Sequence, residues 1–134
     1  MTECLDSWAV LAWLEGEEPA ASRVQEALVS RPVMSWINVG EVAYVLERRA
    51  GAERSREVVR ELRRLLNLDL PTEERVIEAA RVKAGHRMAY ADAFAVVTAH
   101  AHGAELLTGD PEILQADASW PVVDLRHVST PSAY

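Results

Sequence analysis

The chain has 134 residues, is 49% hydrophobic and carries a formal net charge of −7. This length and apolar content predict one globular domain over residues 1–134, with a sizeable core and a loose tail at 130–134. The acidic balance argues against a protein that coats nucleic acid without sequence preference. An uneven charge distribution still leaves room for an enzyme that acts on nucleic acid.

Three features predict a cytoplasmic protein without a membrane partner. The uncharged apolar stretch at 93–99 is too short to cross a bilayer. The N-terminus is acidic and lacks the basic start of a signal peptide. Cys4 is the only cysteine, so no disulfide can form within the chain.

Short apolar runs alternate with helical patterns along the chain. The predicted strands cover 3–5, 32–34, 68–70, 104–107 and 122–123. The predicted helices cover about 8–14, 20–30, 36–50, 53–66, 72–84 and 88–102, with a turn around Pro111. This alternation predicts an α/β fold of three layers, in which helices flank a central parallel sheet of four or five short strands.

Four acidic residues are predicted to meet at one edge of this sheet, where parallel sheets bind their ligands. Asp6 and Asp110 directly follow strands, and Asp92 opens the helix that runs antiparallel to the strand before Asp110. Glu41 follows the second strand by about two helical turns, which at about 1.5 Å per residue keeps it near the same edge. Asn38 shares the helical face of Glu41.

Each of these acids also has an ordinary structural interpretation. Asp6 is a candidate helix cap, Asp110 a candidate turn residue, and Glu41 a candidate surface residue of its helix. Asp92 would complement the positive end of its helix dipole. Purely structural roles require four independent coincidences at one edge, so we favour a site.

Carboxylates packed together raise one another's pKa unless a cation binds among them. Oxygen ligands without a nearby histidine or cysteine favour Mg²⁺ or Mn²⁺. Such a site can activate a water and stabilise charge on a phosphate. Thr108 and Ser7 are candidates to orient the carboxylates, although either hydroxyl can equally cap backbone.

Half of the basic residues are concentrated in one region. Seven of the 14 lie within positions 48–64, where they form either a solvated helical face or a surface for RNA or a protein partner. These residues are Arg48, Arg49, Arg54, Arg56, Arg60, Arg63 and Arg64.

The motifs around the four acids together resemble the PIN domain, and more closely the VapC-type toxins of bacterial and archaeal toxin–antitoxin pairs. They are Leu-Asp-Ser at 5–7, Asn-Val-Gly-Glu-Val at 38–42, Tyr-Ala-Asp-Ala-Phe-Ala at 90–95 and Leu-Thr-Gly-Asp at 107–110. The resemblance extends from Asp6 to about Leu125.

This resemblance implies a Mg²⁺- or Mn²⁺-dependent endoribonuclease that leaves a 5′-phosphate and a 3′-hydroxyl. It also implies a small antitoxin that covers the active site, and a homodimer. By their match to the motifs, the metal-binding and catalytic acids are Asp6, Glu41, Asp92 and Asp110.

Further residues match less closely. Thr108 matches the hydroxyl that precedes the last acid, and Glu112 matches an additional acid of some relatives. Ser7 directly follows Asp6, whereas many relatives carry the hydroxyl one place later, where Trp8 stands.

The expected roles leave some alternatives open. Asp6 and Asp92 would bind the principal metal, and Asp110 would bind it directly or through water. Glu41 is either a ligand or the group that orients and deprotonates the attacking water.

Other functions compete with a toxin. They are a PIN-like nuclease in RNA processing outside a toxin pair, a phosphatase or phosphoacceptor domain, and a non-catalytic metal-binding interaction module. The helical pair at 35–66 is the candidate to grip RNA or to form a groove for an antitoxin helix.

Overall fold

A parallel sheet of five short strands forms the centre of the protein, in the order β3-β2-β1-β4-β5. The structure is a computed structural model that describes residues 2–116 and 118–127, and the predicted tail at 130–134 lies outside them. The strands are β1 (Glu3–Leu5), β2 (Val33–Ser35), β3 (Asn67–Asp69), β4 (Glu105–Thr108) and β5 (Val122–Asp124). The predicted parallel sheet is therefore confirmed.

The helices follow the predicted order along the chain. They are α1 (Ser7–Glu15), α2 (Ala20–Leu28), α3 (Trp36–Ala50), α4 (Ala52–Leu65), α5 (Glu73–Gly85), α6 (Tyr90–Ala101) and α7 (Pro111–Leu114). Ser35 caps α3, because its hydroxyl accepts a hydrogen bond from the Ile37 amide at 3.1 Å. Gly103 adopts φ 59° just past α6, where a left-handed residue ends a helix readily.

Helices cover both faces of the sheet because successive strand residues point to opposite sides. Leu5 and Leu107 pack into the core cluster shared with α1, α2, α3 and α4. Cys4 and Leu106 pack into the opposite cluster, against α6 and α7. Eight consecutive residues of α6, from 92 to 99, are buried. The three-layer arrangement therefore follows from the alternation of side chains along β1 and β4.

One local prediction was wrong. The turn expected around Pro111 is a short helix, α7, with Asp110 as its N-cap and Pro111 in its first turn. The Asp110 Oδ1 accepts a hydrogen bond from the Glu112 amide at 2.9 Å. Proline is well suited to a helix start, since its φ is preset and its missing N–H needs no partner there.

The strand register aligns the carboxyl ends of the sheet. Leu5 pairs with Leu107, and Ser35 pairs with Asp69. The residues that follow β1 and β4 therefore emerge side by side. Within the described ranges, none of the helices combines the length and the hydropathy that crossing a bilayer requires.

Candidate active site

Asp6 is a buried carboxylate held at the carboxyl end of β1. It caps α1, because its Oδ1 accepts a hydrogen bond from the Ala9 amide at 2.8 Å. Its Oδ2 accepts a hydrogen bond from the hydroxyl of Thr108, the last residue of β4. The Thr108 Oγ1 also accepts a hydrogen bond from the Asp110 amide at 3.0 Å. One threonine thus links two acids that lie 104 positions apart in the sequence.

Glu41 lies on α3 and is oriented by two donors. The Ser7 hydroxyl donates to the Glu41 Oε1 at 2.8 Å, and the Asn38 amide donates to the same oxygen at 3.1 Å. The Asn38 amide also donates to the Ala91 carbonyl at 3.0 Å, which ties α3 to the first turn of α6. Ser7 therefore contacts Glu41, although it lies directly after Asp6 in the sequence.

Asp92 is the acid whose surroundings demand a partner most strongly. It lies in the first turn of α6 and its side chain is 5% exposed. Its buried Oδ2 accepts no hydrogen bond from any residue in the described ranges. A buried polar atom without a partner is costly, so this oxygen is suited to a ligand that the protein alone does not supply.

The buried acids have raised pKa values. Burial raises the pKa of Asp6 to about 7, against the hydrogen bonds from Thr108 and Ala9, which lower it. Burial raises the pKa of Asp92 as well, and together with the charges of Asp110, Glu41, Asp6 and Glu112 it brings this pKa to about 7. All five acids therefore lie close enough for their charges to interact, at the edge where the sequence predicts four of them.

Three of these acids have a geometry that fits a metal ion. One carboxylate oxygen each from Asp92, Asp110 and Glu112 lies within 4.8 Å of the other two. A group made of oxygen donors alone matches the preference of Mg²⁺ and Mn²⁺, and one of its acids, Asp92, carries the buried Oδ2 without a partner in the described ranges. The residues present therefore fit such an ion. Asp6 and Glu41 lie beside this group of three rather than within it.

Trp8 is a neighbour of the site that the motifs do not reveal. A Cβ built on Gly109 would lie 2.3 Å from two carbons of the Trp8 ring, so the ring lies against the backbone between Thr108 and Asp110. Only the three-dimensional arrangement brings these positions together. The one sequence signal is the bulky side chain at position 8, directly after Asp6 and Ser7.

Glu112, which the motifs indicate less closely than the other four acids, contributes an oxygen to the group of three, whereas Asp6 and Glu41 do not. The reason is local, because α7 starts at Pro111 and turns Glu112 back toward Asp110.

Comparisons with solved structures identify the same fold in other proteins. VapBC-1 from nontypeable Haemophilus influenzae is 22% identical, with a TM-score of 0.71, and the match covers 95% of this chain and 100% of that one. DNA-bound VapBC from Salmonella typhimurium is 18% identical, with a TM-score of 0.72 and coverage of 92% and 98%. VapC20 from Mycobacterium tuberculosis, described as a sarcin–ricin loop cleaving toxin, is 15% identical, with a TM-score of 0.69 and coverage of 85% and 94%.

Sequence comparison gives the family. No curated protein matches the chain in sequence. A family model described as the PIN domain matches residues 4–119, which include all five acids of the site. Because this match covers most of its length and the fold agrees with it, the chain belongs to the PIN domain family.

Proposed function

We propose that this protein is a Mg²⁺- or Mn²⁺-dependent endoribonuclease and the cytoplasmic toxin of a toxin–antitoxin pair. The observation that carries the proposal is the buried Asp92 Oδ2, which has no hydrogen-bond partner among the described residues and belongs to one acid of the group of three. The group lies at the carboxyl edge of a parallel sheet, where such folds bind ligands. The PIN domain match and the VapBC-like fold give this site its chemical context.

The acids divide into ion-holding and water-orienting groups. Asp92 and Asp110 would hold the ion, with Asp110 acting directly or through water, and Glu112 is placed to assist. Asp6 would bind the ion from its position beside this group. When bound, a divalent ion stabilises charge on the phosphate and lowers the pKa of a coordinated water. Thr108 keeps Asp6 and Asp110 in register through its two hydrogen bonds.

Glu41 is the candidate to orient the attacking water. Both of its donors, Ser7 and Asn38, bind Oε1, which leaves Oε2 to accept from a water. Glu41 can alternatively act as a ligand of the ion. In hydrolysis a water oxygen bonds to phosphorus, the bond from phosphorus to the 3′ oxygen breaks, and that oxygen takes up a proton. The products are a 5′-phosphate and a 3′-hydroxyl.

A small antitoxin is the proposed protein partner. Structures of similar fold include a toxin–antitoxin complex from Klebsiella pneumoniae, at 18% identity and a TM-score of 0.68, and the DNA-bound VapBC from Salmonella typhimurium. The arginine-rich pair of helices α3 and α4 offers a surface for an anionic partner. A groove of about 410 Å³ between α3 and α4 is lined by Ala43, Ser55, Arg56, Val59, Arg60 and Arg63.

A homodimer is the proposed assembly. The exposed large apolar side chains include Ile37 of α3, Val76 and Ile77 of α5, and Tyr90 of α6. The Tyr90 hydroxyl donates to the Val76 carbonyl at 3.5 Å, so at least α5 and α6 present apolar groups side by side. Burial of such a patch against a second copy would stabilise a dimer. Light scattering of the purified protein measures its mass in solution and tests this proposal.

The decisive experiment is cleavage of a pool of cellular RNA by purified protein with Mg²⁺, with Mn²⁺ and with chelator. Asp92→Asn should abolish cleavage, because it removes the charge of the buried carboxylate. Asp124→Asn is the matched control, since it removes the same charge at the end of β5, where Asp124 is paired with Arg126. Calorimetry with Mn²⁺ should show binding to the wild type and to Asp124→Asn, and little binding to Asp92→Asn.

The alternatives give distinct results. Binding of Mn²⁺ without cleavage of any RNA would favour a non-catalytic interaction module. Metal-dependent cleavage by a protein that does not arrest growth would favour an RNA-processing nuclease outside a toxin pair.

A further inference from the structure

A cavity of about 400 Å³ opens beside the carboxylates of the candidate active site. Its volume lies at the small end of the range for ligand pockets and suits a single nucleotide unit. The residues that line it are Gly85, His86, Arg87, Glu112, Gln115 and Ala116.

This cavity adjoins the group of three acids. Glu112 both lines the cavity and contributes an oxygen to the group of three acids. The opposite wall is the connection between α5 and α6, at 86–89, and Asp92 lies in the first turn of the helix that follows. A ligand in the cavity would therefore lie next to the carboxylates that hold the ion.

The side chains of the cavity offer groups that recognise a nucleotide. Arg87 is exposed, and no acidic group in the described parts of the chain forms an ion pair with it. A guanidinium can bind two oxygens of one phosphate with matching geometry. Gln115 carries an amide that can both donate and accept at the edge of a base.

The imidazole ring of His86 forms part of the cavity wall and is held by an aromatic contact. Its ring lies edge-on to the Trp120 ring, with a centroid distance of 4.9 Å and an interplanar angle of 62°. Aromatic pairs favour this geometry, so the contact restricts the rotation of the imidazole. The cavity thus combines a cation, an amide and a restrained ring at the border of an acidic centre.

We propose that this cavity is a subsite for one nucleotide of the RNA chain next to the scissile phosphate. Arg87 binds the phosphate of that nucleotide, and Gln115 contacts the edge of its base. The inference rests on the proposed nuclease function and adds residues that govern where the RNA is cut. A phosphate can bind near Glu112 because Arg87, which lines the same cavity, supplies the opposite charge.

The first test compares two variants with the same change in charge. Arg87→Ala removes the guanidinium of the cavity, and Arg81→Ala removes an exposed guanidinium that lines a different groove, farther back on α5. Binding of a short fluorescein-labelled RNA of random sequence is followed by anisotropy in the Asp92→Asn background, so that cleavage does not interfere. Arg87→Ala should weaken binding about tenfold or more, as expected when a hydrogen bond to a charged group is lost.

The salt dependence of binding separates a phosphate contact from a general charge effect. One contact to single-stranded nucleic acid contributes about 0.7 to the slope of log K against log salt concentration. Arg87→Ala should reduce the slope by about this amount, and Arg81→Ala should leave it unchanged. Arg87→Lys should keep the slope but recover only part of the affinity, because lysine lacks the two-pronged geometry.

A second measurement addresses the base. Gln115→Ala should change which nucleotide is preferred beside the cut in fragments of cellular RNA, without a change in the salt slope or in Mn²⁺ affinity. Equal behaviour of Arg87→Ala and Arg81→Ala in binding would overturn the subsite even if the wild type cleaves RNA. Absence of RNA binding and of metal-dependent cleavage in the otherwise unmodified protein would overturn both the subsite and the nuclease.

Discussion

The indole ring of Trp8 occupies the space that any side chain at position 109 would need. The nearest ring carbons lie 2.3 Å from the position of a Cβ on Gly109. Trp8 belongs to α1, directly after the segment that carries Asp6, and Gly109 joins Thr108 to Asp110. The ring therefore supports the loop that leads to Asp110 and Glu112 from the side of the first strand.

Gly109→Ala should force either the ring or the loop to move. We expect a loss of about 1–3 kcal/mol in the free energy of unfolding, as is typical of overpacking, together with weaker Mn²⁺ binding. Urea unfolding and calorimetry measure the two effects. Gly40→Ala is the matched control, because a Cβ there meets nothing within 4 Å and alanine favours its helix. Equal losses in both variants would contradict a role for the Trp8 contact.

The metal-free protein should become less stable as the pH rises from about 4 to about 7. The pKa values of Asp6 and Asp92 are about 7 in the folded state because of burial, whereas the ordinary aspartate value applies when the chain is unfolded. The folded state therefore binds these protons more tightly, and their contribution to stability is lost as the pH passes through the folded pKa.

Urea unfolding in chelator at pH 5 and at pH 8 measures this effect. Asp6→Asn should remove part of the pH dependence and keep the fold, while RNA cleavage is lost. Saturating Mn²⁺ should stabilise the wild type most at pH 8, where the carboxylates are ionised. An unchanged pH dependence in Asp6→Asn would show that the Asp6 carboxyl does not titrate in this range.

Thr108→Val removes the hydroxyl of this residue and keeps its approximate volume, so the variant tests the two hydrogen bonds of that hydroxyl. The change deprives the Asp6 Oδ2 and the Asp110 amide of their partner, and we expect a cost of about 1–3 kcal/mol in unfolding free energy. The pKa of Asp6 should rise further, since the bond from Thr108 lowers it. Thr108→Ser keeps the hydroxyl and should retain most of the activity. Full activity in Thr108→Val would remove the proposed link between the two acids.

Arg56→Ala combined with Arg60→Ala should weaken the binding of an anionic partner in the groove between α3 and α4. Neither arginine forms an ion pair within the described residues, whereas Arg54 and Arg64 pair with Glu57 and Glu61. Substitution of Arg54 and Arg64 is therefore the control. Surface electrostatics are screened by salt, so the difference should shrink at high ionic strength.

The two candidate occupants of this groove are tested separately. Pull-down of the proposed antitoxin and anisotropy with labelled RNA show which partner depends on Arg56 and Arg60. A double variant that behaves as the wild type in both assays would show that these arginines bind neither partner and belong to a solvated helical face.

Most of the fold was predictable because its signals are local. Short apolar runs end at Asp6, Ser35 and Thr108, and helices start at caps such as Ser35 or end at Gly103. These signals fixed the alternation of strands and helices, and parallel connectivity then placed the residues after the strands at one edge. The exception, α7, is a four-residue helix, and its Asp-Pro start is equally typical of a turn.

Local sequence patterns were sufficient to predict the element order, the parallel sheet and the edge at which the acids gather, because chain direction and strand ends define these features. Which atoms meet at that edge depends on the three-dimensional packing. It brought Glu112 into the group of three acids, directed Ser7 to Glu41 and laid Trp8 on Gly109. These contacts depend on the angles at which helices leave the sheet. Those angles are set by packing among residues far apart in the chain, so no local pattern encodes them.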